Sequence, residues 1–207
     1  MSGLVFRPAA PSDAAALAAL FAQSFSETFG HLYRPADLAA FLASHDEARW
    51  ARELADPAFA VRVGEAAEAP PIDEEGLGCC DASENVPPMA GLTPTQPSPI
   101  KGEASRAVAY LKLGPPTLPF EPRGKPIELR QFYILKPWQG RGAAAELMEW
   151  ALDTAARRGF DELYLSVFID NHRARRFYER YGFEQVGTYA FMVGEHADED
   201  IVMRKAL

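Results

Sequence analysis

A short glycine-containing segment, ILKPWQGRGAA at residues 134–144, has the composition of a site that binds phosphate groups. It joins an apolar, strand-like run to an amphipathic helical pattern. The first N–H groups of a helix have no intrahelical partner and, with the helix dipole, attract anions. Gly140 and Gly142 would let the backbone approach a phosphate, and Ala143 and Ala144 keep the helix start small. Because the spacing matches neither a Walker A loop nor GxGxxG, the segment alone also fits an ordinary helix start.

A second segment, NHRARRFYERYGF at residues 171–183, follows the next predicted strand. Its pattern is helical and ends at Gly182. The phenol of Tyr178 has an ordinary pKa of about 10, so it is protonated at neutral pH and can donate a proton to a leaving group. By itself the segment equally fits a core tyrosine beside Phe177 and Tyr181.

Together the two segments resemble the motifs of the GNAT acetyltransferase superfamily. The family's Gln/Arg-x-x-Gly-x-Gly/Ala motif is matched by Gln139, Gly142 and Ala144. Its Asn-x-x-Ala-x-x-Phe-Tyr-x-x-x-Gly-Phe motif is matched by Asn171, Ala174, Phe177, Tyr178, Gly182 and Phe183. The motifs occur in the family's order, about 30 residues apart. The resemblance is strongest over residues 127–207 and rests on element order over residues 4–64.

The resemblance implies a cofactor, acetyl-CoA, and the residues that hold it. Its pantetheine arm would enter where two parallel strands, residues 127–135 and 163–168, splay apart. The backbone of Phe132, Tyr133 and Ile134 would pair with the pantetheine amides as an added strand does. The pyrophosphate would lie on the turn from Gly140 to Ala145, and Asn171 would bind the cofactor near its thiol end. The implied cofactor-binding set is Phe132, Tyr133, Ile134, Gln139, Gly140, Arg141, Gly142, Ala143, Ala144, Ala145, Asn171 and Phe177.

The resemblance also implies direct transfer in a ternary complex, with Tyr178 as the general acid that protonates the leaving thiolate. The attacking amine must lose a proton, for which a carboxylate or a water chain would serve. Glu128, at the start of the central strand, is the candidate base, although it could be an ordinary strand-end acid. Ribosomal-protein N-terminal acetyltransferases commonly carry a glutamate where this chain has Ser166, which counts against a protein N-terminus as substrate.

Hydrophobic periodicity places these residues on an α/β or α+β framework. Helices are predicted after a cap at Ser12 or Asp13 through Phe25, from Pro35, and over residues 46–54, 140–158 and 171–181. Strands are predicted over residues 4–7, 59–64, 107–113, 127–135, 163–168, 186–193 and 201–207. The resemblance implies a GNAT fold, in which a central mixed sheet with splayed parallel strands is flanked by helices.

Residues 65–106 interrupt this pattern with seven prolines and no periodicity. A structureless stretch of this length is unusual inside a compact domain. We therefore predict a single domain over residues 1–207 with a proline- and glycine-rich insertion in a hairpin; a substrate lid is the alternative.

Composition limits the kinds of partner that the chain could bind. The net charge is -8, which argues against nucleic acid as a partner and suits a cationic substrate, although the same charge would also promote solubility. Adjacent Cys79 and Cys80 and four scattered histidines form no metal-ligand pattern, so no metal is expected. No signal-like or membrane-spanning run occurs, which predicts a cytoplasmic protein without a membrane partner. Dimers are common in GNAT proteins, so a homodimer stays open.

The acceptor is predicted to be a small primary amine. Residues 27–33, followed by Asp37 and Leu38, resemble the early helices of PaiA-like polyamine acetyltransferases, although Phe29 and Tyr33 could simply be core residues. Acidic residues Glu195, Asp198, Glu199 and Asp200 could attract a polyamine or could form a solvated loop. A protein or peptide amine, and a non-catalytic acyl-CoA-binding module that would need no Tyr178, are the alternatives.

Overall fold

The computed structural model describes residues 3–66 and 107–207. In this part of the chain the strands are β1 (Leu4–Pro8), β2 (Ala60–Ala66), β3 (Ala107–Gly114), β4 (Pro126–Ile134), β5 (Glu162–Phe168), β6 (Glu184–Val193) and β7 (His196–Ala206). The helices are α1 (Ala14–Phe29), α2 (Pro35–Ala43), α3 (Glu47–Ala55), α4 (Ala143–Arg157) and α5 (His172–Arg180). Every strand and helix predicted from periodicity is present, with shifted ends.

The strands form one mixed sheet in the order β1-β2-β3-β4-β5-β7-β6. Neighbouring strands are antiparallel except β4 and β5, which are parallel. Strands β4 and β5 are joined through α4, as a parallel connection requires a crossover. The sheet is therefore the mixed α/β arrangement predicted from the sequence.

Each face of the sheet has its own hydrophobic core. On one face α1 buries Leu17, Leu20, Phe21 and Phe25 against residues such as Val63 and Tyr110. On the other face α4 buries Leu147, Met148, Ala151 and Ala155 against the inner strands. Helix α2 has no fully buried residue, and its apolar side chains are only partly covered.

Several predicted element ends are wrong for identifiable reasons. Asp13 precedes α1 without capping it, because its carboxylate accepts from the Ala10 N–H and from Arg7. Helix α4 begins at Ala143 rather than Gly140, since Gly140 and Gly142 have φ values of 78° and 90° that an α-helix cannot contain. Helix α1 continues past Phe25 to Phe29.

The proposed insertion lies mostly outside the described residues. Strand β2 continues to Ala66, so the segment cannot begin at residue 65 as predicted. Residues 67–106, with Cys79 and Cys80, lie outside the described part of the chain. The single-domain organisation and the lid alternative therefore stay predictions.

Candidate active site

Strands β4 and β5 separate along their length. Their register contains only three pairs, Pro126 with Glu162, Ile127 with Leu163 and Glu128 with Tyr164. Beyond Glu128, β4 continues for six residues and β5 continues to Phe168 without further pairing to each other. Phe132, Tyr133 and Ile134 lie on this unpaired length of β4, so the edge that faces β5 there offers backbone N–H and C=O groups to a ligand.

The turn after β4 leads into an uncapped helix. Gly142 is the N-cap of α4 and, having no side chain, supplies no capping oxygen. A Cβ atom built at Gly140 or Gly142 would meet nothing within 4 Å, so positive φ, and not crowding, requires glycine there. The free N–H groups at Ala143, Ala144 and Ala145 follow, and α4 has fifteen residues to contribute to the dipole. The turn therefore has the form of an anion site.

Side chains from two elements brace this turn. The Gln139 Nε2 donates to the Ile134 carbonyl at 2.9 Å, and an Arg173 guanidinium N–H donates to Gln139 Oε1 at 2.8 Å. The guanidinium of Arg141 lies 5.8 Å from the centre of the Trp138 ring. Asn171 caps α5, because its Oδ1 accepts from the Ala174 N–H at 3.1 Å. That bond leaves the Asn171 amide NH₂ as the group that could contact a ligand.

A single cleft of about 860 Å³ begins beside this turn and continues across the sheet to α1 and β7. That volume lies in the range of small-molecule sites. Seven of the residues predicted from the sequence line it: Glu128, Phe132, Tyr133, Ile134, Gln139, Asn171 and Tyr178. Gly140 to Ala145 follow Gln139 in the chain without lining the cleft. Phe177 does not line it either, since its ring packs against Phe132 and Tyr181 at centroid distances of 6.0 and 5.0 Å.

Tyr178 is the buried phenol of the cleft. It is 7% exposed, and its ring packs against Phe177 and Phe183 at centroid distances of 5.6 and 5.8 Å. Burial raises the pKa of Tyr178, because the phenolate would lose its hydration. The side chain therefore stays protonated throughout the neutral range and is a hydrogen-bond donor.

Glu128 also lies in the cleft, but its carboxylate is engaged. One oxygen accepts from the backbone N–H groups of Thr117 at 2.5 Å and Leu118 at 3.2 Å. The other oxygen is 3.2 Å from the Arg130 guanidinium. These contacts occupy both oxygens and hold the Glu128 carboxylate in place.

The cleft ends in an acidic wall on β7, and this corrects a prediction. Strand β7 begins at His196 rather than residue 201, so the acidic run is not a solvated loop. Asp198 and Asp200 are 5% and 7% exposed and line the cleft, whereas Glu195 and Glu199 are exposed. Alternation along β7 separates Asp198 and Asp200 from Glu199, and Glu195 lies in the turn before the strand. That period of two was the available signal.

Asp198 and Asp200 differ in their partners. The Tyr33 hydroxyl donates to Asp198 Oδ2, and His196 Nε2 lies 3.1 Å from Oδ1. Tyr33 is therefore both a buried core residue and part of the cleft wall. Asp200 has no cationic partner in the described residues; burial raises its pKa to about 6, and a hydrogen bond from Ser166 partly offsets that rise.

A further ionic pair at the α1 end of the cleft was not anticipated. The Lys112 ammonium donates to Glu53 Oε2 at 2.7 Å and lies 4.2 Å from the centre of the Trp50 ring. Burial lowers the Lys112 pKa to about 8. Nearby, His45 lies 4.6 and 4.7 Å from the rings of Phe21 and Phe41. These residues come from distant parts of the chain, so no local pattern groups them.

Residues 98–183 match the family model described as the acetyltransferase (GNAT) family. This match spans both motifs and confirms the resemblance to the GNAT superfamily. The chain is also similar to an uncharacterised N-acetyltransferase of Mycobacterium tuberculosis, with 43% identity over 81 residues. That alignment covers 39% of this chain and 52% of the relative, so the chain matches about half the length of the curated protein.

Solved structures share the GNAT fold over nearly the whole chain. PaiA N-acetyltransferase of Thermoplasma acidophilum, solved with coenzyme A, has a TM-score of 0.66, 13% identity, and coverage of 99% of each chain. Spermidine N-acetyltransferase of Vibrio cholerae, solved with CoA and spermine, has a TM-score of 0.56 and 18% identity, covering 100% of this chain and 96% of that one. At these identities the similarity establishes the fold.

Within residues 3–66 and 107–207, no group of three or more His, Cys, Asp or Glu side chains is placed to hold a metal ion. None of the helices described there has both the length and the apolar character needed to cross a bilayer.

Proposed function

We propose that this GNAT chain is an acetyl-CoA-dependent N-acetyltransferase whose acceptor is a cationic primary amine. One observation carries the proposal: the strand separation begins directly after Glu128, and the cleft there is lined by the protonated phenol of Tyr178 and by the buried carboxylates of β7. A group that can protonate a leaving thiolate and groups that attract an ammonium thus share one cavity.

The residues present fit acetyl-CoA. The unpaired edge of β4 at Phe132, Tyr133 and Ile134 suits the pantetheine amides, which can add to it as a strand does. The open turn at Gly140 and Gly142, with the free N–H groups that follow, suits the pyrophosphate. The exposed guanidinium of Arg173, which donates to Gln139 Oε1, adds positive charge beside this turn.

When bound, acetyl-CoA supplies the thioester whose acetyl group the amine receives. In this proposal Tyr178 donates its hydroxyl proton to the departing sulfur. Its raised pKa keeps it protonated, and its burial keeps bulk water from competing for the hydrogen bond. The amine attacks the thioester directly, so the reaction needs no cysteine nucleophile and no acyl-enzyme.

The acceptor end favours a polyamine or a related small amine. Asp198 and Asp200 attract a cation, and the rings of Phe168, Tyr189 and Phe191 in the same cleft offer aromatic faces to an ammonium group. The similar Vibrio cholerae structure contains spermine, which supports this substrate class. The proposal therefore ranks small polyamines first in any acceptor screen.

The test is acetyl-CoA-dependent thiol release against spermidine, spermine, simple primary amines, amino acids and N-terminal peptides. Tyr178→Phe should retain acetyl-CoA affinity and lose about 10²-fold or more in kcat, the range of a general acid. Tyr181→Phe is the matched control, because this phenol lies one turn along and packs against Phe177 outside the cleft.

Each outcome decides a different point. Turnover of peptides alone would replace the small-amine acceptor with a protein terminus. Full kcat in Tyr178→Phe at every pH would remove the general-acid role. Clear acetyl-CoA binding by calorimetry without turnover of any acceptor would support a non-catalytic acyl-CoA-binding module.

A further inference from the structure

Asp200 is a buried carboxylate for which the fold provides no cation. Its side chain lies between Phe168 on β5 and Tyr189 on β6, the residues paired with it in register. The other buried acids of the cleft are engaged, Glu128 with Arg130 and Asp198 with Tyr33 and His196. An ionised carboxylate that is 7% exposed is costly to keep without a partner, so Asp200 is suited to a cationic ligand or to proton uptake.

The groups facing Asp200 are almost all neutral at neutral pH. From its own strand Asp198 contributes a negative charge, which opposes ionisation of Asp200. The phenols of Tyr33, Tyr133 and Tyr189 face it from three other parts of the chain, and the negative charge of Asp200 helps to raise the pKa of each. From β5 the nearby Ser166 hydroxyl lowers the pKa of Asp200 and so partly offsets the effect of burial. The surroundings therefore hold a carboxylate that can exchange a proton near neutrality.

Ser166 lines the same cleft from β5. Its hydroxyl lies 3.3 Å from the hydroxyl of Tyr189, the residue of β6 that pairs in register with Asp200. Asp200 lines the cleft from β7, the strand between β5 and β6.

We propose that Asp200 is the general base that takes a proton from the acceptor ammonium in the cleft. This inference rests on the proposed function and replaces Glu128 in that role. The ammonium loses two protons in all: the first passes to Asp200 and then to water, and the second, lost as the amide forms, restores the proton that Tyr178 gives to the sulfur. The C–N bond forms, the C–S bond breaks, and the products are the N-acetyl amine, CoA thiol and one proton.

The two carboxylates predict opposite results when each is neutralised. Asp200→Asn should lower kcat/KM for spermidine by about 10²-fold or more at pH 8. In wild type kcat/KM should fall as the pH drops through about 6, and this acidic limb of the pH profile should be absent from the variant. Glu128→Gln should leave that limb in place. Glu199→Gln is the matched control, since Glu199 is the exposed neighbour on the opposite face of β7 and should behave as wild type.

A second acceptor separates proton removal from amine binding. 2,2,2-Trifluoroethylamine is largely neutral at the assay pH and needs no base to lose its first proton. The loss of kcat caused by Asp200→Asn should therefore be at least tenfold smaller with this amine than with spermidine. Acetyl-CoA affinity measured by calorimetry should be the same in both proteins, which shows that the variant is folded.

Four outcomes would overturn the inference. One is an Asp200→Asn enzyme that keeps its kcat and its limb near pH 6. Another is a raised KM with unchanged kcat, which would make Asp200 an anchor for the amine. A third is loss of the limb in Glu128→Gln instead. If wild type binds no acetyl-CoA or turns over no amine, the proposed function itself fails and the inference fails with it.

Discussion

Asp200 should reduce the stability of the folded protein whenever its carboxylate is ionised. Burial raises its pKa from 3.8 to about 6, so the folded state holds the proton more tightly than the unfolded state does. Each unit of that difference corresponds to about 1.4 kcal/mol, so the full shift amounts to about 3 kcal/mol. Asp200→Asn removes this cost, although the new amide must find its own hydrogen bonds. We therefore expect a gain of about 1–3 kcal/mol in the free energy of unfolding.

The gain has a defined pH dependence. For an acid whose folded pKa is raised, the stability of the wild type falls as pH rises from about 3.8 to about 6 and is constant above that. The difference between variant and wild type should thus be complete at about pH 8 and fall to about a third of that value at about pH 4.5. Other carboxylates that titrate in this window are shared by both proteins and cancel in the difference.

Thermal unfolding followed by circular dichroism measures the effect. For a chain of this length the expected gain raises the Tm at about pH 8 by about 3–8 °C. Glu199→Gln, which neutralises an exposed carboxylate on the other face of β7, should change stability by less than about 0.5 kcal/mol at either pH. An Asp200→Asn protein that is less stable than wild type at about pH 8, or a gain independent of pH, would refute the burial argument.

Two glycine substitutions test the ends of the cleft. Gly142→Ala places a side chain at φ 90° and should weaken acetyl-CoA binding measured by calorimetry. Gly159→Ala is the control, because Gly159 has φ 70° and is equally uncrowded. Both variants should lose about 1–2 kcal/mol of stability, but Gly159→Ala should keep its affinity for acetyl-CoA. Equal affinities in the two variants would exclude a phosphate role for the turn. Gly194→Ala should destabilise more than Gly159→Ala, because its methyl group would also overlap the Asp37 carboxylate. By displacing the β6–β7 hairpin it should raise the KM for the amine more than that for acetyl-CoA, and an unchanged amine KM would contradict this placement of the acceptor.

The predicted elements were largely correct because they depend on local patterns. A period of 3.6 in α1 and α4 and runs of β-forming residues in β3 to β5 are properties of consecutive residues. The motif at Gly140 and Gly142 is likewise local, since positive φ at a turn selects glycine whatever surrounds it. Element ends were less accurate: the start of β7 was missed because its charged residues are unusual in a strand, and only the cleft explains them.

The sequence by itself thus determined the fold class, the glycine turn before α4 and the helix that carries Tyr178, since each is encoded by residues close together in the chain. Only the tertiary structure decided which carboxylates of the cleft have a cation beside them. Glu128 is engaged by Thr117 and Arg130, whereas Asp200, distant from both in sequence, has no cation beside it in the described chain. Burial and charge pairing arise from contacts between distant residues, so the same carboxylate can be a structural partner or a base according to what the fold places against it.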